Sequence, residues 1–125
     1  MNRLAVSVGI LTLISAGSTA AVMATDAAAM RMTELVDSAE QCFSSGDTEG
    51  CIYAAEKLSE TWDELLHYSI LITDPGQALE ISSSVAEILS FAQAENEEIF
   101  ASCDRAQAQI KMFREMQTPT LWKIL

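Results

Sequence analysis

Basic residues are scarce in this sequence: 7 lysines and arginines stand against 18 acids, for a net charge of −11. Phosphate backbones are held by clustered lysine and arginine, so the imbalance argues against a nucleic-acid partner. It also argues against adsorption of the acidic part to anionic lipid through its own charge. Histidine is scarcer still, with His67 alone. A serine triad would have to use that residue, and the run Ser82-Ser83-Ser84 stands at no suggestive spacing from it. No C-x-x-C pair and no Gly-rich phosphate loop is present. The sequence therefore offers no catalytic residue, no metal-ligand set and no cofactor motif, and it reads as a non-enzymatic protein. With only 5 glycines and 2 prolines, little interrupts the chain, which favours long helices.

Charge is also missing from residues 4–24. As a helix this stretch is about 30 Å long, the thickness of a bilayer core. Gly9, Gly17, Ser7, Ser15 and Ser18 dilute it. Its most apolar part, residues 4–14, has the length of a signal-peptide core, and small-x-small sites follow at 18–20, 22–24 and 27–29. Residues 1–24 are thus expected to be a signal anchor, or alternatively a removed signal peptide. Arg3 precedes the stretch and the acidic part follows it. That places the remainder outside the cytoplasm by the positive-inside rule. The expected location is the cell membrane, single-pass, or a secreted or periplasmic one after cleavage.

Residues 25–116 read as an acidic helical bundle. Ala28, Met32, Leu35, Val36, Ala39, Cys42 and Phe43 recur at spacings that put them on one helix face. Gly46 and Asp47 supply a left-handed helix end and a new cap. Cys51, Ala55, Leu58, Trp62, Leu65, Ser69 and Ile72 then alternate steps of four and three, the spacing of a bundle seam. Asp74, Pro75 and Gln77 mark the next helix start. One seam of the third helix runs through Ala78, Ile81, Val85, Ile88 and Ala92. A second runs through Ile99, Cys103, Ala106, Ile110 and Phe113. Glu95-Asn96 between them shifts the phase, as a stutter, a kink or a break would. The expected fold is all-α: an antiparallel bundle of three helices, or four if Glu95-Asn96 breaks the third, after an N-terminal hydrophobic helix. Pro119 is expected to end the last helix. Residues 117–125 then form an apolar C-terminal tail whose Leu121, Trp122, Ile124 and Leu125 either fold back or dock onto a partner.

Few residues carry chemistry. Cys42 and Cys51 flank the first turn, and a disulfide between them would staple the hairpin. Cys51–Cys103 is the rival pairing, and three small buried thiols the plain structural alternative. Counting residues back and forward from Asp74 places all three cysteines near one end of the bundle. Glu64 and His67 have the Glu-x-x-His spacing of bundle di-iron sites, but such sites need a second pair and there is none. Trp62 lies in its helix's seam and is the expected core anchor.

The segment Thr61-Trp62-Asp63-Glu64-Leu65-Leu66-His67, the N-terminal apolar stretch and Glu95-Asn96-Glu97-Glu98-Ile99-Phe100 together resemble a family of short bacterial membrane-anchored helical proteins. That family is known as a domain of unknown function. The resemblance covers most of the chain after residue 24. The three cysteines depart from the pattern. It implies an exported, single-pass helical protein and supplies no activity, substrate or site residue. The expected function is that of an extracytoplasmic, membrane-anchored interaction or structural protein. Its partner would be an envelope or membrane protein or another copy of the chain. The alternative is a periplasmic or secreted helical binder of a ligand or metal.

Overall fold

A computed structural model describes the backbone of residues 2–68 and 75–124, and the side chains in that range except those at 18, 19, 21, 22, 68 and 116–124. The described residues are all-helical, without a strand. Helix α1 runs Asn2–Ser44, α2 Thr48–Tyr68, α3 Pro75–Ala94 and α4 Ile99–Ile124. The third stretch is therefore two helices. Residues 95–98 break it, and the second seam belongs to α4.

Both described turns are built alike. Gly46 takes φ 79° and Glu95 takes φ 53°. At the first, the amide of Asp47 donates to the Cys42 carbonyl at 2.8 Å; at the second, the amide of Asn96 donates to the Phe91 carbonyl at 3.0 Å. This six-to-one closure around a left-handed residue is the Schellman end of a helix. The next helix is capped at once. Asp47 Oδ1 accepts from the Gly50 amide, and Asn96 Oδ1 from the Glu98 amide.

Packing follows the seams. Thr25, Ala29, Met32, Val36 and Ala39 of α1 are buried, as are Cys51, Ala54, Ala55, Leu58, Trp62 and Leu65 of α2. Ile81, Ser84, Val85, Ile88 and Ala92 are the buried face of α3. Ile99, Cys103, Ala106, Ile110 and Phe113 bury the matching face of α4. The apolar members form one continuous core. Cross-helix bonds fix the directions. Asp26 meets Arg114 at 2.8 Å, and Phe43 meets Phe100 edge-on with centroids 5.2 Å apart, so α1 and α4 are antiparallel. Trp62 bonds Ser82 near one end of α2 and α3, and Thr48 bonds Glu95 at the other. Ser84 bonds Gln109 between α3 and α4.

Trp62 is the anchor that its seam position predicts. It is 2% exposed, its indole Nε1–H donates to Ser82 Oγ at 2.7 Å, and its ring meets Phe113 edge-on. Ser82 and, through Gln109, Ser84 thus pair helices.

Two expectations are corrected here. Among the described residues, no helix is long and apolar enough to cross a membrane. The single-pass placement, the membrane contact through residues 4–24 and the signal segment are therefore not supported. Two glycines and interspersed serine, threonine and alanine thin the apolar stretch, and the Ser7 and Thr12 hydroxyls turn back onto the Arg3 and Val8 carbonyls. The backbone of α1 continues through the stretch into the core without a break. Pro119 does not end α4, which runs on to Ile124. Proline removes only its own N–H from the ladder, and five residues of helix follow it. The expected docking side chains Leu121, Trp122 and Ile124 lie outside the described side chains. Leu125, Ser69, Ile72 and Asp74 lie outside the described residues altogether.

Trp62→Ala is expected to cost about 3–5 kcal/mol, the range for removing a large buried aromatic. Ser82→Ala, which leaves the indole N–H without its partner, is expected to cost about 1–3 kcal/mol. Urea denaturation of the two variants checks both values and their order.

Candidate functional site at the paired turns

The two Schellman turns lie side by side. Thr48 Oγ1 donates to Glu95 Oε1 at 2.9 Å, joining the start of α2 to the end of α3. Glu95 occupies a left-handed position that glycine or asparagine usually fills, at some backbone cost. Its carboxylate gains the cross-turn bond there. Between the turns is a recess of about 180 Å³ lined by Phe43, Gly46, Thr48, Cys51, Ala92 and Glu95.

The cysteines gather at this end, where the residue count places them. Cys42 is half-buried on the last turn of α1, while Cys51 and Cys103 are buried; all three are free thiols. Burial raises the Cys51 thiol above its ordinary value, with the neighbouring Cys42 and Asp47 adding to the effect. Burial pushes Cys103 up to about 12, helped by Glu40, Cys51, Asp104 and Asp37. Both thiols are therefore protonated at neutral pH, and neither has the lowered pKa of a thiol poised to react there.

A second cluster joins α1 to α4. Glu40 is raised first by burial and then by the charges of Asp104 and Asp37, and it shares a hydrogen bond with Asp104. Gln107 Nε2 donates to Asp37 alongside. On the other side of α4, Glu87 of α3 accepts from Arg105 at 2.7 Å and from Ser102 at 3.1 Å. The sequence signalled neither group, because each pairs residues from different helices at positions that look like ordinary solvated faces.

Glu64 and His67 are both exposed. Among the described residues, no group of three or more His, Cys, Asp or Glu is arranged to hold a metal ion. Glu95 went unrecognised as a left-handed turn residue; the Asn96 that follows was the available signal, mirroring Asp47 after Gly46.

No protein-family model, curated protein or solved structure matches the chain. The resemblance seen around Trp62 and His67 gains no support from these comparisons.

Glu40 gives a pH signature. Its folded pKa lies above the ordinary 4.5. Just above pH 4.5 the folded chain therefore keeps a proton that the unfolded chain has released, and stability falls as pH rises through that window. Cys103 does the same between 9 and about 12. Glu40→Gln, which keeps a donor toward Asp104 without the charge, is expected to be more stable than the parent at pH 7. It should also flatten the slope above pH 4.5. Thermal melts across pH 4–8 read both effects.

Proposed function

We propose that this chain is a non-enzymatic interaction or structural protein in which an acidic four-helix body carries the apolar first half of α1 as its docking element. The observation that supports this is the exposure of that half. Leu4, Val6, Val8, Ile10, Leu11, Leu13 and Ile14 are all more than half exposed. Among the described side chains, burial begins at Thr25, where α1 enters the core. Single exposed apolar residues are ordinary on a protein surface, but a contiguous run of this size marks a contact surface. Its uncharged faces suit packing against another helix, from a second copy of the chain or from a different protein.

The seam from Ile99 to Phe113 is covered by the chain's own helices, which leaves the first half of α1 as the exposed apolar face that favours this reading.

The recess between the turns weighs less for the rival reading, a small-ligand binder. At about 180 Å³ it falls below the roughly 300–1,000 Å³ of ordinary ligand pockets. The acidic faces of α2 are spread as solvated surface.

The proposal is tested by sedimentation equilibrium of the full chain beside a Leu11→Glu/Ile14→Glu variant. Both positions are exposed, so the core is untouched. The parent is expected to sediment above the mass of one chain. The variant should sediment as one chain with unchanged helix content. A parent that is monomeric across the concentration range would overturn self-docking, and an equally associated variant would move the contact elsewhere.

A further inference from the structure

We infer that Cys42 and Cys51 form a dithiol–disulfide pair that closes by exchange with a small disulfide such as oxidised glutathione, covalently locking α1 to α2. The inference is independent of the proposed docking role. It rests on how the first turn is built.

Cys42 and Cys51 are separated by eight residues on antiparallel neighbours. The intervening chain is pinned at both cysteines: the Cys42 carbonyl accepts from the Asp47 amide at 2.8 Å, and the Cys51 amide donates to the Asp47 carbonyl at 3.0 Å. Gly50, just before Cys51, is an unusual choice inside a helix, where glycine is unfavourable relative to alanine. A Cβ there would fall 3.0 Å from Cys42 Sγ and 2.3 Å from Asp47 Oδ2. The capping Asp47 carboxylate fills most of that space, and the Cys42 sulfur borders it, against the backbone that leads into Cys51.

Access separates this pair from its rival. Cys42 is half-buried and meets solvent, whereas Cys51 is buried beneath the recess between the turns and need only reach Cys42. Cys103 is fully buried in the core on α4. A Cys51–Cys103 bond would have to form where no external disulfide reaches.

The exchange balances in two steps. Cys42, having given its proton to solvent, attacks one sulfur of the small disulfide. The S–S bond breaks, and one thiolate leaves with the electron pair. Cys51, whose raised value makes its thiolate the minor form, loses its proton to base at mildly alkaline pH, attacks Cys42 Sγ in the mixed disulfide and expels the second thiolate. The protein loses two hydrogens, and the small disulfide is reduced to two thiols. The reverse exchange with excess small thiol reopens the bond.

The test uses the reduced full chain, folded, at mildly alkaline pH with oxidised glutathione. The reaction is quenched with a maleimide and read by intact mass and peptide mapping. The expected product has lost two hydrogens, contains a Cys42–Cys51 linked peptide, and shows Cys103 labelled only after denaturation. Its Tm should rise by roughly 10 °C and return on reduction. Cys51→Ser, or Cys51→Ala should the serine unfold the core, is expected to stop with one glutathione held on Cys42. A Cys51–Cys103 link, a stable glutathione adduct on the parent, or no reaction without denaturant would each overturn the inference.

Discussion

Glu95 holds a left-handed backbone conformation without being glycine, and the closure of the core depends on the reversal it makes. Were residues 75–124 one helix, the seam from Ile99 to Phe113 would run on past α1 and α2 with nothing to face. Reversal at Glu95 brings that seam back antiparallel to α3, where Ile99, Cys103 and Ala106 fill the space beside α1. Left-handed geometry disfavours a residue with a Cβ, and the chain offsets that cost locally. Asn96 caps the next helix, and the Glu95 carboxylate accepts from Thr48 across the neighbouring turn. The turns hold each other at one end of the body.

Register elsewhere is fixed by polar pairs set at the edges of an apolar core. Trp62–Ser82, Ser84–Gln109, Glu87 with Ser102 and Arg105, and Arg114–Asp26 each join two helices at a defined height. The more exposed ion pairs among them contribute little to stability by themselves. Their effect is to penalise slippage, because a shift by one turn would leave Ser84 and the Trp62 indole without partners in a dry layer. Among the described residues, no buried side-chain nitrogen or oxygen lacks a partner.

The heptad steps from Cys51 to Leu65 and from Ile99 to Phe113 were plain in the sequence, because helical periodicity is a local property. The turn at Gly46-Asp47 was equally plain, since glycine and aspartate have one obvious use there. The turn at Glu95-Asn96 was visible only as a phase shift. A glutamate gives no sign that it will adopt φ 53°, and a stutter fits a continuous helix as well as a broken one. The Glu40–Asp104 contact and the recess beside Cys51 could not be read in advance, because they depend on which α1 residue meets which α4 residue. The stretch at 4–24 is uncharged throughout, but its glycines and hydroxyls keep it below the apolarity that a membrane span needs.

The unbroken run of α1 has a mechanical side. No glycine or proline separates its last exposed stretch from the residues that pack against α2 and α4. The segment before Thr25 is about 35 Å long at the rise of an α-helix. It therefore behaves as a lever whose fulcrum lies at the edge of the core. A tilt of about five degrees there moves the tip by about 3 Å over that length, and a twist at the tip turns the face that carries Met32 and Val36. Whatever grips the far end holds the orientation of the whole acidic body as well as its position.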